Sequence, residues 1–343
     1  MTMYRFSFGP WNIHEGADPF GPAVRQSYDF QQKLAVYREL GFEGIQFHDD
    51  DIVPDIEQKS YAEIMKEAGA VRRRLDELGL VAEIVAPRLW ESERTIDGAF
   101  TSNDAKERAY AIERSKQAVD IAREMGTNNF VLWLAREGTY IREAKNPVDS
   151  VNYIADAMNQ LLEYDSNIRI LIEPKPNEPM DHAYIPTIGH TLALAYRTID
   201  SKRVGGLIET AHCILAGLDP SEEMGYALSF DKLWSVHLND QNGLKYDQDK
   251  SFGSDNLRRA FNQVRVLEEN GYGKNGEFVG LDVKVMRTQP RDISYKHLEN
   301  SKKMFLHLVD KVRTYDKEAE RQFIAARDYE GLDLHVLEHL MGR

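Results

Sequence analysis

Leu171-Ile172-Glu173-Pro174-Lys175-Pro176-Asn177-Glu178-Pro179 begins as a strand and ends as something that cannot continue one. Ile168, Ile170, Leu171 and Ile172 are apolar and mostly β-branched, the pattern of a buried strand. Three prolines then fall within six positions, 174 to 179. Proline lacks an N–H and fixes φ, so neither ladder nor helix runs through them. The stretch therefore reads as a stiff, ordered loop at the C-terminal end of a strand. It carries Glu173, Lys175 and Glu178, two carboxylates and an ammonium. A solvated charge cluster needs no such stiffening, whereas a set of ligand atoms does.

Working outward, seven other short apolar runs resemble this strand: Arg5 to Gly9, Gly44 to His48, Leu80 to Ala86, Phe130 to Trp133, Val204 to Glu209, Leu233 to Leu238 and Phe278 to Val283. Helical patterns alternate with them, several closed by glycine (Gly41, Gly79, Gly271) or opened by Pro147. Eight strands alternating with about eight helices predict an α/β fold, a (β/α)8 TIM barrel over residues 1–315. Residues 316–343 lie beyond the eighth unit and form a charged, helical-looking C-terminal tail. Its Leu332, Leu334, Val336, Leu337, Leu340 and Met341 are worth burying, so it is expected to embrace another subunit.

Composition narrows the function. The chain has 343 residues, 42% of them hydrophobic, and a net charge of −13. A phosphate backbone is a poor partner for that charge, since nucleic-acid binders carry a basic footprint. A site that concentrates cations fits it. One cysteine, Cys213, permits no intrachain disulfide and suggests a reducing, cytoplasmic setting. Residues 1 to 10 show no signal-peptide pattern, and no run of about 18 apolar residues spans a membrane.

In a barrel of this kind the chemistry sits at the C-terminal ends of the strands. Those ends carry His48 and Asp51, Trp133, Glu173 and Lys175, Glu209 and His212, His237, and Asp282; Asp247 and Asp249 follow the seventh strand. Taken singly, each has an ordinary reading as a turn, cap or core residue, and their shared location is what points to a site. Five carboxylates and two imidazoles could not share one cavity without cations, because like charges drive pKa values up. They suffice for two divalent ions, and oxygen-rich ligation selects Mg²⁺, Mn²⁺ or Co²⁺. Two metals with a nearby lysine suit a polyol.

The motifs resemble those of D-xylose (glucose) isomerases of the shorter, actinobacterial type. The matching stretches include Asp18-Pro19-Phe20-Gly21, Phe47 to Asp51 (FHDDD), Gly98 to Asp104 (GAFTSND), Arg136-Glu137-Gly138, EPKPNEP at 173 to 179, and Leu238 to Gly253 (LNDQNGLKYDQDKSFG). The resemblance covers essentially the whole chain. It implies a hydride shift between C1 and C2 of an open-chain sugar. Glu173, Glu209 and Asp282 would hold one metal, and Glu209 would bridge to a second held by His212, Asp247 and Asp249. Lys175 would bond the carbonyl end, and His48 oriented by Asp51 would open the ring. Trp11, Trp90, Trp133 and a neighbouring subunit's copy of Phe20 would form aromatic walls. The tail resembles the family's subunit-clasping arm, though shorter, implying a homotetramer.

The chain also departs from that pattern. His237 stands where the family has an aspartate ligand, and Ser235 where it has histidine. Ala86-Pro87-Arg88-Leu89-Trp90 replaces a more polar segment beside the sugar, and the loop after the first strand is one residue shorter and carries His14. Three alternatives follow: a single-metal ketose 3-epimerase, which His237 favours; a metal-dependent endonuclease, which the charge disfavours; and a catalytically dead scaffold. An aldose other than xylose is a further possibility for the substrate.

Overall fold

The structure is a computed structural model that describes residues 4–18 and 20–343. Pro19 of the DPFG motif lies outside them. Eight parallel strands close into a barrel in sequence order: β1 (Arg5–Phe8), β2 (Gly44–His48), β3 (Val81–Ala86), β4 (Asn129–Trp133), β5 (Arg169–Glu173), β6 (Val204–Glu209), β7 (Leu233–Leu238) and β8 (Phe278–Leu281). Each is followed by a helix: α1 (Phe30–Leu40), α2 (Tyr61–Leu78), α3 (Ala105–Met125), α4 (Pro147–Tyr164), α5 (Ile188–Ala195), α6 (Pro220–Leu228), α7 (Leu257–Glu269) and α8 (Lys296–Thr314). The predicted (β/α)8 barrel is thus present.

Local chemistry explains the boundaries. Asp29 with Gln32, and Ser60 with Glu63, form reciprocal capping boxes at the starts of α1 and α2. Gly41 and Gly79 end those helices in the left-handed conformation. Ile170, Leu171 and Ile172 are all buried, as expected of a strand covered by the barrel's interior on one face and by helices on the other. Ile84, Ala86, Val131, Leu171 and Leu207 form a small apolar cluster, while larger clusters lie between the sheet and its helices. A polar bridge crosses the lumen: Glu83 of β3 accepts from Ser7 of β1, Gln46 of β2 and Ser235 of β7.

Register sets which side chains share a level at the mouth. Trp133 pairs with Glu173, Glu209 with His237, and His48 with Ala86. Two short helices, Asp49–Ile52 and Thr210–Leu215, start directly from the ends of β2 and β6.

The tail is helical and packs in part on its own chain. It forms α9 (Lys317–Ala326) and α10 (Tyr329–Met341), and both dock on the chain's own barrel. Val336 is buried in the main core, with Leu332 and Leu340 packed against it. Tyr315 lies against His335 and His339, and Arg265 of α7 pairs with Glu320 at 2.7 Å. Three of the six apolar residues, Leu332, Val336 and Leu340, thus pack internally. Leu334 and Met341 stay exposed. Among the described residues no helix is long and apolar enough to cross a membrane.

Candidate metal and sugar site

One cavity of about 1040 Å³ opens at the C-terminal ends of the strands. Every candidate residue lines it except Asp51, which stands behind His48 and accepts the His48 backbone N–H at 2.9 Å. The proline-rich loop is ordered as its sequence requires, with Pro174 and Lys175 buried.

Two groups of acids and imidazoles converge closely enough to hold an ion, Glu173 with Glu209 and His237, and Glu209 with His212 and Asp247. Glu209 belongs to both. His212 Nε2 lies 3.3 Å from Glu209 and 3.2 Å from Asp247, and His237 Nδ1 lies 3.6 Å from Glu173. Asp249 and Asp282 line the same cavity but are engaged otherwise. Lys284 Nζ lies 2.8 Å from Asp249, and Asp282 accepts from Trp11 Nε1 at 2.9 Å and from Asn12 at 3.2 Å. The structure therefore gathers five of the seven expected ligands tightly and holds the other two at the wall.

Donor chemistry fits a cation. Glu173 and Glu209 are buried, His212 and His237 likewise. His212 Nδ1, both ring nitrogens of His237 and Asp247 Oδ1 are buried without a hydrogen-bond partner. Buried polar atoms are normally satisfied, and bare ones on adjacent ligand-type side chains suit an ion. The protonation balance agrees. Burial, then Asp247, Asp249, Asp282 and Glu173, push the Glu209 carboxyl well above its ordinary range. Burial and Asp247 push Asp249 up to about 8. Burial works against a charge on His237, but Glu173 and Asp282 outweigh it and raise the imidazole to about 9. Burial opposes the Lys175 charge too, but Asp247, 2.7 Å away, raises its ammonium's pKa. Divalent ions would displace these excess protons.

An aromatic wall lines the same cavity. Trp11 lies 4.3 Å from the His48 ring, His48 5.0 Å from Trp90, and Trp90 4.5 Å from Trp133, centroid to centroid. Gly9 leaves room for it, since a Cβ there would collide with the Trp11 ring. Phe20 stands at the rim of its own chain's cavity beside Tyr246, 72% exposed.

Three residues escaped the sequence reading. Asn239 is fully buried and donates to Glu209 and Asp249, each at 3.0 Å, fixing both carboxylates. Asn12 ties Asp282 to the loop after β1, and its Oδ1 accepts from the Val283 N–H at 2.7 Å. Arg88 reaches His48. Asn239 lies in the LNDQNG stretch and Arg88 in the Ala86–Trp90 segment beside the sugar, where the amide and the guanidinium were the available signals; Asn12 offered none.

Residues 34–299 match the family model described as xylose isomerase-like TIM barrel. The chain belongs to that family. This xylose isomerase-like family is broader than the D-xylose isomerases that the motifs resemble. Among solved structures, the chain is similar to a D-tagatose 3-epimerase-like protein (17% identity, 90% of this chain and 98% of that one, TM-score 0.65). It is also similar to a putative xylose isomerase from Rhodospirillum rubrum (15%, 89% and 99%, TM-score 0.67). The IOLI protein, solved with a zinc atom, is a third (13%, 90% and 99%, TM-score 0.63). At such identities the likeness is one of fold.

Proposed function

We propose that this protein is a metal-dependent aldose–ketose isomerase that shifts a hydride between C1 and C2 of an open-chain sugar. The observation that carries the reading is Glu209, shared by two acid–imidazole groups, with the Lys175 ammonium held beside the second group by Asp247. Two divalent ions (Mg²⁺, Mn²⁺ or Co²⁺) bound there would polarise the carbonyl and hydroxyl oxygens of a polyol. Glu173, Glu209 and His237, with Asp282 nearby, would hold one; Glu209, His212 and Asp247, with Asp249 nearby, would hold the other. Lys175 donates to the carbonyl oxygen at C1 and stabilises the negative charge that develops there. Hydrogen leaves C2 with its electron pair and bonds to C1, O2 gives up its proton and becomes the carbonyl, and O1 takes a proton. Trp11, Trp90 and Trp133 exclude water from the moving hydrogen.

A single-metal ketose 3-epimerase is the second reading, favoured by the compact Glu173–Glu209–His237 group. Turnover in D₂O separates the two. The hydride route leaves the product free of solvent deuterium, whereas epimerisation through a carbanion labels it. Lys175→Ala should lower turnover at least about 100-fold. A wild-type rate in that variant, or a labelled product, would sink the isomerase reading.

The assembly is proposed to be a homotetramer in a cytoplasmic setting, with exposed Phe20, Leu334 and Met341 as contact residues. Light scattering reads that assembly directly.

A further inference from the structure

The aromatic wall carries a charged group that the proposed reaction does not use. Arg88 follows β3, and its side chain is only 16% exposed. Its Nη2 lies 2.7 Å from His48 Nδ1 and 3.3 Å from Asp51 Oδ1. Its Nε donates to Asp50 at 2.8 Å, and its backbone N–H donates to Asp49 at 3.0 Å. Asp50, Asp51 and Glu91, the last 3.3 Å from Nη1, therefore hold this guanidinium against the histidine.

His48 Nδ1 also lies 3.1 Å from Asp51 Oδ2. The two neighbours make opposite demands on that nitrogen. Toward Asp51 it must donate, and from Arg88 it must accept. A guanidinium offers N–H donors only and does not give up its proton. Two donors do not face each other at 2.7 Å, so Nδ1 is the acceptor. Asp51 loses little by this, because Oδ2 already accepts the His48 backbone N–H at 2.9 Å and Oδ1 accepts from Arg88.

We infer that Arg88 fixes His48 in the tautomer that carries its proton on Nε2, so that this wall of the cavity offers the sugar a hydrogen-bond donor and not a base. An Asp51-controlled histidine would have the opposite polarity. With Nδ1–H bonded to the carboxylate, Nε2 would be bare and could take the proton of an anomeric hydroxyl. With Nε2–H, His48 binds an oxygen that accepts, such as a ring oxygen, a carbonyl or a hydroxyl lone pair. Any ring opening at this wall would then draw on His48 as a proton donor to the ring oxygen and not as a base for the anomeric hydroxyl. Arg88 is then a positioning residue acting through His48, specific to a chain with arginine at this point. The identity of the bound oxygen rests on the sugar-isomerase reading, whereas the tautomer belongs to the free protein.

The test is the ¹⁵N spectrum of the histidine rings in the full chain with Mg²⁺ at neutral pH, the His48 signals being assigned by their loss in His48→Gln. The wild type should show His48 protonated at Nε2 and bare at Nδ1. In Arg88→Met, Asp51 is the remaining partner of Nδ1 and the proton should move there. Nδ1–H in the wild type overturns the inference, as does an unchanged spectrum in Arg88→Met. If Arg88→Met does not fold, Asp51→Asn replaces it and should leave the proton on Nε2; a switched tautomer there assigns control to Asp51 and overturns the inference. Absence of turnover on every aldose with the expected spectrum would sink the isomerase reading alone, and the wrong spectrum would sink this inference whatever the turnover.

Discussion

Two buried glutamates a few residues from the mouth of the barrel are handled in opposite ways. Glu137 and Glu209 are each 2% exposed, and burial pushes both carboxyls up. Around Glu137 the chain supplies the remedy itself. The backbone N–H groups of Ala99, Phe100 and Thr101 donate to it at 3.1, 2.9 and 2.8 Å, and the Thr101 hydroxyl adds a fourth bond. Around Glu209 the described residues supply one hydrogen-bond donor, Asn239, and the other neighbours are carboxylates and imidazoles with bare atoms. A fold that can satisfy a buried carboxylate with its own N–H groups, and does so nearby, has left the second one for something else. That contrast separates a structural acid from a ligand.

The largest expected effect tests the structural half. Glu137→Ala leaves three buried N–H groups without an acceptor, each costing about 1–3 kcal/mol. We expect a loss of at least about 3 kcal/mol in unfolding free energy, read from urea denaturation and equal with and without divalent metal. A loss that appears only with metal present would make Glu137 part of the site and break the contrast.

Much of this was legible in the sequence because it is local. Apolar runs, glycine stops and EPKPNEP fixed strand ends, and a barrel brings strand ends together. Glu173, Glu209, His212, His237 and Asp247 converge for that reason. Contacts between residues far apart in sequence have no such spacing. Arg88 meets His48 forty positions away, and nothing in either stretch announces the pairing. Glu137 sits in a quoted motif, REG, and the donors it binds sit in another, GAFTSND; the bonds between them show only when the chain is folded. Apolar content in the tail says that a surface will be covered and not by what. Here the grooves beside Tyr315 and Phe261 receive it.

Two buried histidines carry the same contrast into pH. His297 is buried with its Nε2 at 2.8 Å from the Asn12 carbonyl, and burial pushes it down to about 4. Its folded value lies below the unfolded value of about 6.5. The unfolded chain therefore takes the proton first, and stability is full above about pH 6.5 and falls as pH drops towards 4, by up to about 3 kcal/mol. His237 runs the other way without metal. At about 9 its folded value is raised, so its contribution is full below about pH 6.5 and is lost as pH rises through 9. His297→Gln should flatten the acid side of the urea-midpoint profile between pH 6.5 and 4. An unchanged acid limb would show that His297 is not held neutral by burial.

A smaller effect, of opposite sign to Glu137→Ala, tests the ligand half. Glu209→Gln removes a carboxyl held well above its ordinary range by burial and four neighbouring acids. The metal-free protein should therefore gain stability while metal affinity, read by calorimetry, falls at least about tenfold, about 1.4 kcal/mol. Destabilisation of the metal-free form would place Glu209 with Glu137 among the structural acids.

The smallest effect is one of metal preference, and it rests on His237. Its ring nitrogens are both bare, and it shares a tight group with Glu173 and Glu209. An imidazole there contributes a nitrogen donor and no negative charge of its own. Mg²⁺ prefers hard oxygen ligands, whereas imidazole suits the later first-row metals. The wild type should accordingly favour Mn²⁺, Co²⁺ or Zn²⁺, and its metal affinity should fall as pH drops below about 9, where the His237 imidazole must surrender a proton to ligate. His237→Asp returns an oxygen donor and a charge. Titration of the two proteins should show the Mg²⁺-to-Mn²⁺ affinity ratio rising about tenfold in the variant, about 1.4 kcal/mol. The alternative is that His237 turns aside to bond a neighbouring ligand or a sugar hydroxyl. In that case the variant would bind sugar differently and leave the metal ranking untouched, and the bare nitrogens would belong to the substrate.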